Sequence, residues 1–368
     1  MKNTFGQSVC TTIFGESHGE AVGVVIDGLA PGIEVDNSFI EAQLSKRRPS
    51  GKTDTPRVEN DNYKILSGVF NGKTTGTPIA IVIPNENKKS SDYTYGMARP
   101  SHADYTAYMK YHGYEDYRGG GHFSGRVTAG LVAGGAIAIS ALKKLGINIG
   151  THILKCGEEC DRMFKNTENI EKAILKLQDK AFPVILNESE EAFRKEIYKA
   201  SEIKDSLGGL IETAITGMPA GVGEPWFDSV ESILSHAVFS IGGIKGIEFG
   251  LGVGFAGRLG SDANDSFEYE NGKVVTTTNN NGGVNGGITN GMPITFTCTV
   301  KPTPSIGKKQ NTVNFLTGEN TSLEIKGRHD PAIIRRICVV VDSVCALALC
   351  DMLAMRYGTD VFLKGLPQ

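Results

Sequence analysis

The chain lacks the basic excess that general nucleic-acid binding requires. Its 368 residues include 38 Lys and Arg against 41 Asp and Glu, which gives a formal net charge of -3. Neutralising a DNA or RNA backbone needs a large surplus of cations, so a broad nucleic-acid-binding role is disfavoured. Charged residues make up 21% and hydrophobic ones 40%, which is typical of a soluble globular chain and not of a disordered one.

Several catalytic, metal-binding and targeting signatures are also missing. The seven cysteines include no paired CxxC spacing, so no zinc site is expected and a reduced cytoplasmic environment fits best. No GKS or GKT follows the triple glycine at 119–121, which disfavours a Walker A loop. The serine of GESH lacks the GxSxG surroundings of a serine hydrolase. The start, MKNTFGQSVCTT, has no basic region followed by an apolar one, so no secretory signal is expected.

Glycine, by contrast, is abundant, and strands and helices both have clear signatures. The 46 glycines follow no collagen period, so they predict tight turns, close helix packing or backbone near a ligand. The uncharged run 127–142 is shorter than the roughly 20 residues of a membrane helix. Periodicity and capping residues predict strands over 21–27, 79–84 and 294–300, a helix over 36–48 capped by Asp36, buried helices over 127–145 and 335–357, surface helices over 170–181 and 188–203, and a long loop with a weak hairpin over 264–291.

No stretch has the composition of an interdomain linker, so residues 1–368 are expected to form one domain. A faint internal echo joins IDGLAPG at 26–32 to ITGMPAG at 215–221. Two similar strand–turn units would explain this echo, although seven residues are weak evidence of duplication.

Candidate chemistry is concentrated in four segments. FGESHG at 14–19 places His18 in a glycine-flanked loop, where it either faces a ligand or caps a turn. Lys46, Arg47 and Arg48 suit phosphate or carboxylate oxygens, but they also suit a solvated helix end. RPSHAD at 99–104 is followed by DYRGGGHFSGR at 116–126, whose glycines before a buried helix suggest an anion site.

The fourth segment runs from KPTPS at 301–305 to KGRHDP at 326–331. Asp330 is either a structural partner of an arginine or a base tuned by its neighbours, and the sequence leaves both roles open. Together the four segments predict cations directed at a small molecule that carries several negative charges. The type of reaction does not follow from these residues.

The four segments, in this order, resemble the motifs of the chorismate synthase family, and the resemblance extends over about residues 4–357. The matching motifs are FGESHG and VIDGLAPG near the start, KRRP at 46–49, KILSGVFNGKTTGTPI at 64–79, RPSHADY at 99–105, DYRGGGHFSGR at 116–126, GMPAGVGEPWFD at 217–228, SIGGIKGIEFG at 240–250, GGVNGGITNG at 282–291, KPTPS and KGRHDP. Each long motif is specific to the family.

The resemblance implies a carbon–oxygen lyase that converts 5-enolpyruvylshikimate 3-phosphate to chorismate. The family eliminates phosphate and a ring proton in a 1,4-anti sense, the last step of the shikimate pathway to aromatic amino acids. It requires reduced FMN (FMNH2) without net redox change. The implied fold is α+β, a β-α-β sandwich with central helices between antiparallel sheets, assembled as a cytoplasmic homotetramer without nucleic-acid or membrane partners. We expect an external flavin reductase or another reductant, with NADPH acting only indirectly.

The resemblance also assigns roles to residues, with no metal among them. His18 would protonate the departing phosphate, His102 would donate a proton to the reduced flavin, and Asp330 would help flavin N5 to remove the ring proton. The implied substrate-binding residues are Ser17, Arg47, Arg48, Lys52, Arg99, Arg126 and Arg335. The implied flavin-binding residues are His122, Phe123, Ser124, Gly242, Gly243, Gly286, Lys301, Pro302, Thr303, Pro304, Ser305 and Arg328.

Three places depart from the usual family pattern. Ser101 stands where RPGHAD has glycine, His122 and Phe123 stand where GGGRSSAR has Arg-Ser, and Lys52 stands in a loop that is one residue short. We hypothesise that His122 replaces an arginine contact to the FMN phosphate or the substrate, in which case His122→Ala should weaken one of these affinities.

Two rival functions remain open at this point. One is an NADPH-dependent flavin oxidoreductase that uses the same pocket, which flavin reduction by NADPH with the purified chain alone would reveal. The other is a non-catalytic module that binds phosphoglycan or nucleic acid, which salt-dependent binding to DNA or RNA would reveal. The net charge and the lack of aromatic residues among the basic runs argue against the second rival.

Overall fold

The structure is a computed structural model that describes residues 2–51, 54, 60–86, 94–325 and 330–367. Among these residues the strands, in chain order, are β1 (Thr4–Phe5), β2 (Cys10–Gly15), β3 (Ala21–Asp27), β4 (Lys64–Ser67), β5 (Val69–Phe70), β6 (Lys73–Thr74), β7 (Ile79–Pro84), β8 (Asn148–Cys156), β9 (Glu159–Cys160), β10 (Gly209–Thr216), β11 (Ile244–Phe249), β12 (Phe267–Glu270), β13 (Lys273–Thr276), β14 (Val284–Asn285), β15 (Ile288–Thr289), β16 (Ile294–Val300), β17 (Gln310–Asn314) and β18 (Glu319–Leu323).

The α-helices of the same described residues are interleaved with these strands. They are α1 (Asn37–Arg47), α2 (Asp104–Tyr111), α3 (Thr128–Lys144), α4 (Ile170–Gln178), α5 (Asn187–Glu202), α6 (Val230–Phe239), α7 (Gly260–Ala263), α8 (Ile334–Tyr357) and α9 (Val361–Lys364). Short 3-10 turns precede α3 at Arg118–Phe123 and Gly125–Val127.

Most of the predicted elements are confirmed. The three strands expected from β-branched runs form at the predicted bounds as β3, β7 and β16. Asp36 caps α1 by accepting hydrogen bonds from the backbone amides of Ser38 and Phe39. The surface helix expected over 170–181 ends earlier, at Gln178, and the polar stretch 264–291 contains two hairpins, β12–β13 and β14–β15.

The two large sheets are antiparallel, and four of the five strands in each follow the same chain order. The fifth strand differs, since β1 precedes its partner β2 whereas β9 follows its partner β8. The strand orders are β1-β2-β3-β7-β4 in the first sheet and β11-β16-β10-β8-β9 in the second. In each, two neighbouring antiparallel strands (β2 and β3, or β8 and β10) are followed by a helix (α1 or α6), then by an edge strand (β4 or β11), by the strand next to that edge (β7 or β16), and finally by a long helix (α3 or α8). β2 and β3 form a hairpin, whereas β9, α4 and α5 lie between β8 and β10. The seven-residue echo lies at the end of β3 and of β10, where Gly28 and Gly217 have φ of +89° and +82°. The structure therefore supports the internal duplication that this echo suggested.

The two long helices lie between the sheets. α3 packs on β3 and β7, α8 packs on β8 and β10, and the two helices pack against each other. Glycines allow this close approach: a Cβ on Gly130 would lie 2.8 Å from the backbone of Gly23, and one on Gly135 would lie 2.4 Å from Ser343 Cβ. The expected α+β fold, a β-α-β sandwich with central helices, is confirmed.

By length and composition alone, Gly125–Lys144 and Ile334–Tyr357 are apolar enough to cross a membrane. However, 83% and 94% of their most apolar windows are buried inside the fold, as expected of the core helices of a globular protein. The cysteines predicted to be core thiols, Cys338, Cys345 and Cys350, are buried in α8. All seven cysteines are free thiols.

Candidate active site

The triple glycine at 119–121 forms a turn between two imidazole rings. Its three residues have φ of +65°, +92° and +54°, backbone angles that residues other than glycine rarely adopt. A Cβ on Gly119 would lie 2.1 Å from Cε1 of His18, and one on Gly120 would lie 3.2 Å from Cε1 of His102. The sequence suggested that these glycines expose amides at a helix N-terminus, but a 3-10 turn separates them from α3. Their role in the structure is to let His18 and His102 approach the same backbone.

His18 lies on the loop between β2 and β3, in the tight turn closed by the hydrogen bond from Gly19 N to Glu16 O. Ser17 and His18 are 1% and 6% exposed. Ser17 Oγ donates to Arg118 O at 3.3 Å and lies 3.3 Å from Nδ1 of His18. Because the hydroxyl has one proton to donate, this arrangement favours the His18 tautomer with a proton on Nδ1. Ser17 N also donates to Gly121 O, which joins the turn to the triple glycine.

His102 is held by a carboxylate that it shares with Arg99. Its Nδ1 lies 2.7 Å from Oδ1 of Asp104, and Arg99 donates to the same carboxylate through Nε and Nη2 at 2.8 and 2.7 Å. Burial alone would raise the pKa of Asp104, but the hydrogen bonds from Arg99 and His102 hold it well below its usual range. The ionised Asp104 therefore accepts a hydrogen bond from Nδ1–H of His102, which leaves Nε2 on the side of Gly120.

Three arginines converge on one buried carboxylate that the sequence analysis did not single out. Nη2 of Arg47 and Nε of Arg48 lie 3.6 and 3.5 Å from Asp61, and Arg126 is hydrogen-bonded to it. Burial would raise the pKa of Asp61, but Arg47, Arg126 and Arg48 lower it. We call Arg47, Arg48 and Arg126 the arginine cluster. The two segments supplying it are the C-terminal end of α1 and the turn before α3.

The remaining predicted polar residues lie around these two centres. Arg335 donates to the carbonyls of Lys46 and Arg48 and to Asp54, so it supports the end of α1. Asp330 is ion-paired with Arg336. Lys52 and Arg328 lie outside the described residues. Their predicted contacts, like the substrate contact of Arg335, stay predictions.

Several residues expected to contact flavin lie near the His102 loop. Lys301 Nζ donates to the carbonyl of Ser101 at 2.8 Å, and Lys301 N donates to Gly243 O at 2.9 Å. Burial and the neighbouring Lys245 lower the pKa of Lys301. The Thr303 hydroxyl oxygen is buried without a hydrogen-bond partner among the described residues. This orphaned polar atom, together with the cation of Lys301 two residues earlier in the chain, fits a polar, anionic cofactor such as FMN.

The other expected flavin contacts have more varied surroundings. Phe123 is 46% exposed and its ring is available for stacking. His122 donates from Nδ1 to Gly15 O at 2.8 Å, so this ring also holds the loop that leads to His18. Ser124 caps the turn before α3, and Gly286 lies exposed in the β14–β15 turn. The others, Gly242, Pro302, Pro304 and Ser305, lie in the connections after α6 and β16.

A cavity of about 370 Å³ opens beside His102. Its lining includes Arg99, Asp104, Gly120 and Phe123, together with the aromatic residues Tyr95, Tyr117 and Phe315. Sequence reasoning missed Tyr95, Tyr117 and Phe315. It also missed Asp61 and Asn85, which both accept hydrogen bonds from Arg126. A basic run such as 46–48, if partly buried, requires a carboxylate partner, and this requirement is the signal that could have pointed to Asp61.

Comparisons with known proteins all point to one family. A model of the chorismate synthase family matches residues 9–354. The chorismate synthase of Lachnoclostridium phytofermentans is 46% identical over 358 residues, which cover 95% of each chain. That of Dehalococcoides mccartyi is 43% identical over 364 residues, which cover 97% of this chain and 98% of the relative. A crystal structure of a chorismate synthase matches with a TM-score of 0.76 and 29% identity, covering 96% of this chain and 94% of the other.

Proposed function

The chain belongs to the chorismate synthase family, and on that premise we propose that it converts 5-enolpyruvylshikimate 3-phosphate to chorismate by 1,4-anti elimination of phosphate and a ring proton. The supporting observation is that the imidazoles of His18 and His102 both approach the glycine turn at 119–121, while the three guanidiniums of the arginine cluster surround Asp61. Phosphate leaves readily when its charge is neutralised and a proton is delivered to it, and this arrangement supplies both.

The arginine cluster binds the phosphate group of the substrate. Its three guanidiniums and the one carboxylate of Asp61 leave two surplus positive charges, which matches a phosphate monoester that carries roughly two negative charges at neutral pH. Arg99, on the cavity beside His102, binds a substrate carboxylate. Arg335 acts through the segment that carries Arg47 and Arg48, since its guanidinium donates to the backbone there. Lys52 completes the anion-binding set by motif.

Proton movements are assigned to three side chains. His18, when protonated on both ring nitrogens, donates from Nδ1 to the Ser17 hydroxyl and delivers the Nε2 proton to the departing phosphate. His102 keeps one proton on Nδ1, which donates a hydrogen bond to Asp104. It donates a second proton from Nε2, which lies on the Gly120 side. The Asp330 carboxylate serves the removal of the ring proton, and its ion pair with Arg336 fixes where the carboxylate points.

Reduced FMN, when bound, supplies the electron density that eases C–O cleavage, without a net change in oxidation state. Lys301 and the orphaned hydroxyl of Thr303 offer a cation and a hydrogen-bonding group to it, and Phe123 offers an aromatic face. The chain's other flavin contacts are His122, Ser124, Gly242, Gly243, Gly286, Pro302, Pro304, Ser305 and Arg328. His122 approaches the cofactor through Nε2, since its Nδ1 donates to Gly15.

We further propose that the enzyme works as a cytoplasmic homotetramer supplied by an external flavin reductase or reductant, with NADPH acting only indirectly. Trp226 and Phe227 are 85% and 91% exposed, and two neighbouring aromatic side chains on the surface suit a subunit interface. The seven free thiols suit a reducing compartment. Anaerobic incubation with NADPH and oxidised FMN should leave the flavin oxidised, and sedimentation should give four times the chain mass of 39.4 kDa.

Single substitutions of His18, His102 and Asp330 by Ala test the assigned roles. Each variant should lose chorismate formation while retaining FMN affinity and the wild-type circular dichroism spectrum. Loss of folding or of flavin binding, in place of loss of chemistry, would mean that the residue has a structural role. The Asn62→Ala variant serves as the control, because Asn62 is exposed and its Nδ2 donates to Oε1 of Glu86, away from the three substituted residues.

A further inference from the structure

The two centres of the site are joined by one buried amide, that of Asn85. This residue directly follows β7 and is 9% exposed. Its Nδ2 donates to the carbonyl of Glu16 at 2.8 Å and to that of Gly19 at 3.1 Å. These two carbonyls are the first and last of the turn whose central residues are Ser17 and His18. Asn85 therefore holds both ends of the turn that presents His18.

The acceptor side of the same amide faces the arginine cluster. Nε of Arg126 donates to Oδ1 of Asn85 at 2.9 Å, while Nη2 of Arg126 donates to the carbonyl of Pro84 at 3.1 Å. Arg126 is in turn hydrogen-bonded to Asp61, on which Arg47 and Arg48 also converge. A continuous path thus runs from Asp61 through Arg126 and Asn85 to the turn of His18.

From this path we propose that Asn85 is a positioning residue that sets His18 relative to the arginine cluster. The inference rests on the proposed roles of His18 as proton donor and of Arg126 as phosphate ligand. The task needs an amide, because the site demands one acceptor for Arg126 and two donors for the carbonyls, and every polar atom of the side chain is used. Proton delivery to a phosphate held by the cluster requires this spacing to be kept within a fraction of an ångström.

Asn85→Asp separates the two halves of this contact. The carboxylate keeps an acceptor for Arg126, but it places an oxygen against the carbonyls of Glu16 and Gly19 and so repels the turn. We expect kcat to fall by about 100-fold, the typical cost of a misplacement of about 1 Å, while the KM for the substrate stays close to wild type. Asn85→Ala removes both halves, so its kcat should fall and its KM should rise. Asn62→Ala, an exposed asparagine in the neighbouring segment, should change neither parameter.

A second readout is independent of turnover. The rate at which diethyl pyrocarbonate modifies His18, followed by mass spectrometry of the peptide, should rise severalfold in Asn85→Asp because the turn is no longer held in the interior. Wild-type kcat and wild-type His18 protection in Asn85→Asp would overturn the inference, as would equal changes in kcat and KM in the Asp and Ala variants. If the Ala variant does not fold, the comparison of Asn85→Asp with the wild type decides alone. A wild-type chain that makes no chorismate would refute the proposed function instead, and the modification rate would still test the positioning.

Discussion

Gly119→Ala is expected to disable the site while leaving most of the fold intact, because the added methyl group would collide with His18. The new Cβ would lie 2.1 Å from Cε1 and 2.2 Å from Nδ1 of that ring, whereas an ordinary contact begins at 3.4 Å. The ring must therefore retreat by about 1 Å, and a displacement of that size in a catalytic group costs on the order of 100-fold in rate. The backbone strain of alanine at φ +65° adds about 1–2 kcal/mol of instability.

Gly318→Ala provides the matched control for this variant. Gly318 has a similar φ of +77°, but a Cβ there would meet nothing within 4 Å. Both variants should lose a similar amount of stability in urea unfolding, since both place alanine in the left-handed region. Only Gly119→Ala should lose kcat in an anaerobic assay of chorismate formation with reduced FMN. Full activity of Gly119→Ala at a normal rate would refute the placement of His18 against the triple glycine.

Three further predictions concern stability and the His102 loop. Burial alone would lower the pKa of His152, but the hydrogen bonds to Asp161 and Glu212 raise this pKa above its ordinary value. The network should therefore stabilise the fold fully below about pH 6.5, and progressively less as the pH rises through the raised pKa. His152→Ala should therefore cost about 3 kcal/mol in urea unfolding at about pH 6, and a cost that does not shrink at about pH 9 would contradict this. Ser101 has φ +59°, a conformation that favours glycine. Ser101→Gly should therefore raise the free energy of unfolding by up to about 1 kcal/mol with activity retained. A loss of stability would show that the serine side chain has an unrecognised contact. Asp104→Ala removes the hydrogen-bond acceptor of both Arg99 and His102, so kcat should fall by at least about 10-fold with FMN affinity unchanged. A variant with wild-type kcat would exclude a catalytic role for the hydrogen bond between His102 and Asp104.

Local patterns in the sequence were enough to predict the elements that bury apolar side chains. Strands 21–27, 79–84 and 294–300 formed at the expected residues because β-branched runs between glycine and proline have few alternatives. The all-round apolar helix before Gly146 could only be buried, and it lies between the sheets as expected. The order of the layers came from the family resemblance and not from periodicity, which does not determine which faces meet.

The functional site was predictable only in part, because its motifs identify side chains and not their partners. Ser17, His18, Arg99 and His102 were found from their segments, and the structure brings them to the turn at 119–121. Asp61 and Asn85 lie in polar stretches that have no distinguishing pattern. Their importance comes from hydrogen bonds with Arg126, which is 65 positions from Asp61 and 41 positions from Asn85 in the chain. Such long-range hydrogen bonds depend on how β3 and β7 pair and cannot be inferred from spacing.

The most direct test of the proposed function is an anaerobic single turnover with FMN reduced beforehand. The purified chain, in excess over 5-enolpyruvylshikimate 3-phosphate, would be mixed with the reduced flavin, and chorismate, phosphate and the flavin spectrum would be followed together. We predict chorismate and phosphate in equal amounts, flavin still reduced at the end, and no product when oxidised FMN is used instead. Flavin oxidised in proportion to the substrate consumed, or no chorismate despite tight binding of reduced FMN, would contradict an elimination without net redox change.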